Sequence, residues 1–152
     1  MGFVKMLNSN TLIFPSYDGN GMFLCMGNIV GNANIGLLFI SFERPHRIRV
    51  QGTASISQDA KLLAHYKEAD FVVTLKLSEL WQNCARYIPK YEKVRNSRYV
   101  PRAECETPLA EWKRVDLLQD VLPPIDLAKA QAKGTIDIME WVSKIQTGAD
   151  DA

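Results

Sequence analysis

Two arginines on one predicted strand are the residues of this chain best suited to chemistry. Polar and apolar residues alternate over 47–56, which is typical of a strand with one buried face. The alternation places Arg47, Arg49 and Gln51 together on the polar face. Guanidinium groups form charge-assisted, paired hydrogen bonds with phosphate oxygens. The pattern therefore indicates a phosphate site, although alternating arginines also occur on strand faces that only contact solvent.

A second anion-binding element precedes this strand in the sequence. A turn rich in glycine and asparagine is followed by apolar residues at helical spacing. We expect a short helix that begins near Asn20, has Asn20 or Asp18 as its N-cap and ends at Gly31. The first N–H groups of a helix are unpaired and carry a partial positive charge. Asn20, Gly21 and Met22 are therefore predicted to hold a phosphate together with the arginines, while an ordinary turn also explains this segment alone.

The remaining patterns over residues 1–89 predict the elements that position these side chains. The run Ile35–Phe42 is almost continuously apolar and predicts a strand buried on both faces. Alternation predicts further strands over Thr11–Phe14 and Asp70–Leu80, and Gln58–Ala69 is interpreted as an amphipathic helix. The fold class is therefore mainly β with helices (α+β), in which about four strands form an antiparallel sheet that closes on itself as a small barrel.

We predict two regions, a core over residues 1–89 and a charged arm with short helices over residues 90–152. Residues 90–116 are rich in charge and proline, which predicts either an arm that packs or a mobile tail. Tyr91, Tyr99 and Trp112 favour an arm that packs. The helices are predicted over Asp116–Leu122, Ile125–Lys133 and Thr135–Ile145.

Composition sets bounds on partners and location. A net charge of +1 over 152 residues gives no electrostatic reason to expect nucleic acid. No apolar run reaches the ~18 residues of a membrane span, and no signal-peptide pattern is visible. Cys25, Cys84 and Cys105 are far apart in sequence, which predicts reduced thiols, no metal site and a cytoplasmic location. No residue has the pattern of an obligatory acid, base or nucleophile, so catalytic residues are unassigned.

Several short motifs occur in the order found in one family. They are Gly19-Asn20, Gly27-Asn28-Ile29, Gly36-Leu37-Leu38-Phe39-Ile40, Arg47-x-Arg49-Val50-x-Gly52-x-Ala54 and Asn83-Cys84-x-Arg86-Tyr87-Ile88. Over about residues 2–116 the chain resembles the pyridoxamine-5′-phosphate-oxidase-related, FMN-binding split-barrel proteins. The resemblance implies a split antiparallel β-barrel that forms a homodimer and binds FMN near the subunit interface. It also adds Arg86 to the cofactor-binding residues, a position for which a structural contact is the slightly favoured alternative.

The function that the resemblance implies is that of an FMN-dependent oxidoreductase acting on a small-molecule substrate. Two alternatives stay open, a flavin-binding protein without turnover and a non-binding remnant that serves as a dimeric structural module. The second alternative arises because relatives usually begin with one or two additional strands, so this chain looks N-terminally shortened. A homodimer is also expected from the residues, since the apolar strand Ile35–Phe42 needs a partner when so few strands are present.

Overall fold

The computed structural model of the protein describes residues 3–151, so residues 1, 2 and 152 of the two predicted regions lie outside it. Within that range the fold is α+β, with five strands in one antiparallel sheet of order β1-β2-β5-β4-β3. The strands are β1 (Lys5–Asn8), β2 (Thr11–Ser16), β3 (Asn34–Ser41), β4 (His46–Ser57) and β5 (Phe71–Asn83). The α-helices are α1 (Leu24–Gly31), α2 (Ala60–Leu63), α3 (Pro124–Lys133) and α4 (Ile138–Thr147), and 3₁₀ helices span Glu111–Arg114 and Asp116–Val121.

The larger of two core clusters lies on one face of the sheet. Val50 and Leu75 from the central strands pack there with Ile29 of α1, so the helix covers this inner face. Val4, next to β1, and Ile35 of β3 pack against the same cluster although they belong to opposite edges of the sheet. The predicted α+β class with an antiparallel sheet is confirmed.

The prediction that Ile35–Phe42 is buried on both faces is wrong. This segment forms β3, which is an edge strand, and α1 covers only the inner face of the sheet. Leu38 and Ile40 point to the outer face and are 47% and 38% exposed. The apolar run reflects one core face and one outer face whose apolar side chains are partly exposed.

The predicted helix over Gln58–Ala69 is also wrong, because only its first turn is helical. Asp59 caps α2 by accepting a hydrogen bond from the backbone N–H of Lys61, as the sequence pattern favours. The chain then leaves the helix so that the buried hydroxyl of Tyr66 can donate to the carbonyl oxygen of Ile13 at 2.9 Å. Burial raises the pKa of Tyr66. This tertiary hydrogen bond is invisible to periodicity and outweighs the local helical preference.

The predicted strand over Thr11–Phe14 is confirmed and continues to Ser16 as β2. It forms a hairpin with β1, a strand that the sequence patterns did not indicate. The Asn8-Ser9-Asn10 turn joins the two strands, and the Asn8 side chain accepts from the backbone N–H of Asn10. The sheet therefore has one strand more than expected among the described residues.

One extra residue interrupts the pairing of β4 with β5. Gly52 is paired with Leu77 and Gln51 with Glu79, so Ser78 has no partner and forms a β-bulge. A side-chain Cβ built at Gly52 would lie 2.1 Å from the carbonyl oxygen of Lys76, which only glycine avoids. Gly52 therefore marks the bulge where β5 comes closest.

Residues from Ser97 onwards form a separate compact unit. Its three predicted helical segments are present, the first as a 3₁₀ helix and the others as α3 and α4. Glu111 is buried and accepts hydrogen bonds from Arg114 at 2.6 Å and Lys144 at 3.1 Å. Lys144 also contacts the carboxylate of Asp151, which raises the pKa of Lys144. A network of ion pairs thus joins the elements of this unit.

Candidate functional site

The register of β3, β4 and β5 places the predicted site residues of β4 in three rows on the outer face of the sheet. Residues directly opposite each other in an antiparallel pair point to the same face. Because β4 is central to the three strands, Arg47, Arg49 and Gln51 are each flanked on both sides. The rows are Gly36–Gln51–Glu79, Leu38–Arg49–Trp81 and Ile40–Arg47–Asn83.

A shallow depression lies over the middle row. Its volume is about 100 Å³, and it is lined by Gly36, Leu37, Leu38, Arg49, Val50, Gln51 and Trp81. The guanidinium of Arg49 is solvent-exposed and makes no hydrogen bond or ion pair within residues 3–151. The depression thus combines an unpaired cation, the indole of a half-buried Trp81 and the amide of Gln51. This combination suits a ligand that carries both an anionic group and an aromatic ring.

Arg47 lies on the same face, but its guanidinium is already hydrogen-bonded to the protein backbone. Its Nε donates to the carbonyl oxygen of Cys84 at 3.0 Å, and its Nη2 donates to the same oxygen. Arg47 is half-buried, whereas Arg49 is exposed. The two predicted phosphate-binding arginines therefore have different surroundings.

The predicted N-cap of α1 at Asn20 or Asp18 is wrong. The helix begins at Leu24, and the residue before it, Phe23, is left-handed with φ 47° and provides no side-chain cap. Asn20 instead accepts a hydrogen bond from the backbone N–H of Met22 in a local turn. This local bond and the left-handed Gly21 keep the segment out of the helix.

The Asn20–Met22 turn and the arginines are not brought together within one chain. The turn is next to Phe23, whose ring packs edge-on against Phe71 at a centroid distance of 5.5 Å. Phe71 begins β5, whereas Trp81, which pairs with Arg49, lies ten residues further along it. At about 3.3 Å per residue this is about 30 Å along the strand. In addition, α1 packs on the inner face and Arg49 points to the outer face.

Trp81 is a site residue that sequence patterns missed. Uninterrupted alternation along β5 would place it with Leu75 and Leu77 on the core face. The bulge at Ser78 shifts the alternation by one residue and turns the indole to the face of Arg49. The glycine at position 52 was the one available signal, because a glycine inside a strand often marks a bulge.

The segment after β5 carries the last of the predicted site residues. Arg86 is exposed, and its guanidinium carbon lies 6.0 Å from the ring centroid of Tyr87. Tyr87 is 93% exposed and has a left-handed backbone with φ 69°. At the end of β5 the side-chain oxygen of Asn83 is buried and accepts no hydrogen bond within the described part of the chain. This orphaned acceptor belongs to the row of Arg47.

Other kinds of site find less support in residues 3–151. No group of three or more histidine, cysteine, aspartate or glutamate side chains is arranged there to hold a metal ion. The three cysteines are exposed, and none of them forms a disulfide within this range. No helix in this range has the length and apolar character required to cross a bilayer.

Comparison with known proteins gives a distant likeness only. No protein-family model matches the chain, and no curated protein is significantly similar to it. Among solved structures, HupZ of Group A Streptococcus is 19% identical, with a TM-score of 0.43 over 53% of this chain and 68% of HupZ. A single-residue variant of HupZ gives 19% identity and a TM-score of 0.44 over 53% of this chain and 73% of the variant. At this identity and TM-score nothing about a ligand follows for this chain.

Proposed function

We propose that the protein binds FMN and uses it as a flavin-dependent oxidoreductase on a small-molecule substrate. The observation that carries the proposal is the unpaired guanidinium of Arg49 beside the indole of Trp81. FMN contains an anionic phosphate and a flat aromatic ring, and the depression offers one partner for each. The side chains present therefore fit this cofactor.

The size of the depression supports a site completed by a second copy of the chain. Ligand pockets usually measure about 300–1,000 Å³, so about 100 Å³ holds only part of an FMN molecule. Leu38 and Ile40 extend the same face with exposed apolar surface. We infer that Arg49 and Gln51 bind one end of the cofactor. Arg86 borders the cofactor elsewhere. In this arrangement the Asn20–Met22 turn reaches the flavin from the second copy.

The division of chemistry between the cofactor and the chain follows from the lining residues. When bound, FMN supplies the hydride and electron transfer. The depression is lined by no carboxylate, histidine or thiol. The chain's own part is therefore to bind, to orient the ring with Trp81 and to neutralise the phosphate with Arg49. This division matches a reaction without an obligatory protein acid or base.

Purified protein is expected to be yellow or to become yellow when FMN is added. The reason is that Arg49 and Trp81 supply partners for both ends of the cofactor. Visible absorbance after removal of free flavin measures the bound fraction. A colourless protein that takes up no FMN in a titration would contradict the proposal. Bleaching of the colour by a reduced nicotinamide separates an oxidoreductase from a flavin-binding protein without turnover.

The protein is expected to be a homodimer at micromolar concentration, because the outer face of β3 is apolar and exposed. Light scattering coupled to size exclusion measures the mass. Replacing both Leu38 and Ile40 by glutamate should shift the mass to that of a monomer, since burying two carboxylates is costly. The matched control is Leu117→Glu at a 66% exposed position of the second unit, which should leave the mass unchanged. A folded parent protein with the mass of a monomer would contradict the dimer.

A further inference from the structure

The two arginines of the outer face differ in what they contact, and this difference assigns them different roles. They lie on the same strand, two residues apart, and carry the same charge. Arg49 faces the depression and has no hydrogen-bond or ion-pair partner within residues 3–151. In contrast, Nε and Nη2 of Arg47 both donate to the backbone oxygen of Cys84. A guanidinium that already shares its planar donors with a carbonyl has fewer of them left for a phosphate.

The oxygen that Arg47 holds belongs to the first residue after β5. Cys84 follows Asn83, which is paired with Arg47 across the two strands. The thiol of Cys84 accepts from the backbone N–H of Arg86 at 3.4 Å. The backbone N–H of Ile88 in turn donates to the carbonyl oxygen of Ala85 at 3.3 Å. Arg47 thus anchors the start of a hydrogen-bonded turn over residues 84–88.

This turn presents an aromatic side chain in a costly conformation. A non-glycine residue with positive φ is uncommon, and in loops it persists where surrounding contacts hold it. Tyr87 has such a backbone and nevertheless exposes nearly its whole ring, beside the guanidinium of Arg86. Trp81 and Cys84 are three residues apart, about 10 Å along the chain. The turn therefore lies within one cofactor length of the depression.

We propose that Arg47 is a positioning residue that holds the 84–88 turn so that Arg86 and Tyr87 border the aromatic end of the ligand. The anionic end belongs to Arg49. This assignment rests on the proposed binding of FMN, and it names the part of the ligand that each arginine serves. Arg47 acts on the ring through the turn and does not contact the phosphate.

The first test uses the protein without ligand. Arg47→Ala should speed amide hydrogen exchange at Arg86 and Ile88 at least about tenfold, since the anchor of their turn is lost. Arg49→Ala is the matched control, because it removes the same charge from the same face and should leave both amides unchanged. Arg47→Lys keeps the charge without the planar fork and should resemble Arg47→Ala. Unchanged exchange in Arg47→Ala would overturn the proposal, whether or not a flavin binds.

The second test separates positioning from phosphate binding by comparing FMN with riboflavin, which lacks the phosphate. Arg47→Ala should weaken both flavins by the same factor, to within about twofold, whereas Arg49→Ala should weaken FMN alone. A loss confined to FMN in Arg47→Ala would make Arg47 a phosphate ligand and overturn the assignment. If the parent binds neither flavin, the proposed function fails, while the exchange measurement still decides whether Arg47 holds the turn.

Discussion

Replacing Arg49 by alanine is expected to weaken FMN binding at least about tenfold and to leave riboflavin binding unchanged. A hydrogen bond to a charged group contributes roughly 1.5–3 kcal/mol, and about 1.4 kcal/mol corresponds to a factor of ten in affinity. The low end of that range applies because the Arg49 side chain is exposed to solvent. Titration of the ligand-free protein, followed by the change in flavin fluorescence, measures both dissociation constants.

The matched control for this variant is Arg44→Ala. Arg44 is an exposed arginine in the turn between β3 and β4, and it does not line the depression. Its removal changes the net charge by the same amount, so it corrects for any general loss of attraction to an anion. An Arg49→Ala protein that folds and binds FMN as tightly as the parent would remove Arg49 from the phosphate site. The salt dependence of the parent's affinity should decrease in the Arg49 variant and not in the control.

Replacing Gly52 by alanine is expected to lower the free energy of unfolding by about 3 kcal/mol or more. Overpacking a core usually costs about 1–3 kcal/mol. Here the added Cβ meets the carbonyl oxygen of Lys76 at 2.1 Å and the Leu75 side chain at 2.9 Å. Since the collision is with the backbone of a paired strand, relief requires the two central strands to separate. Chemical denaturation of the ligand-free protein measures the change.

The control for Gly52 is Gly36→Ala on the neighbouring strand β3. A Cβ at Gly36 would lie 3.9 Å from its nearest atoms, which is an ordinary contact. This variant should unfold within about 0.5 kcal/mol of the parent. Equal stabilities of the two variants would show that β4 and β5 are not as close at the bulge as the structure has them.

The sequence predicts the parts of this fold that depend on local alternation and fails where a distant contact decides. The faces of β4 follow its alternation, and Val50, Gly52 and Ala54 are all buried as expected. The helix predicted to follow β4 fails because the Tyr66 hydroxyl is used in a hydrogen bond to Ile13, 53 residues earlier. The apolar pattern of β3 could not reveal that this strand lies at the edge of the sheet.

The residues of the candidate site were likewise predicted only where local alternation determines which face they occupy. Arg49 and Gln51 were placed on one polar face by spacing alone, and they line the depression. Trp81 was missed because strand register, which no local pattern contains, determines its face. The hypothesis that joined the helix N-terminus to the arginines treated elements that are close in sequence as close in space. The sheet separates them, since α1 covers its inner face and Arg49 lies on its outer face.

The unpaired residue Ser78 divides β5 into two parts whose side chains have different surroundings. Before Ser78, Val73 and Leu75 pack in the core and are completely buried. After Ser78, the side chain of Trp81 faces the depression on the outer face. Deleting Ser78 would restore unbroken alternation and exchange the faces of Leu80 and Trp81. The deletion of one codon would therefore remove the indole from the site, and its insertion would restore the indole. Every core residue and every arginine would be retained in both cases.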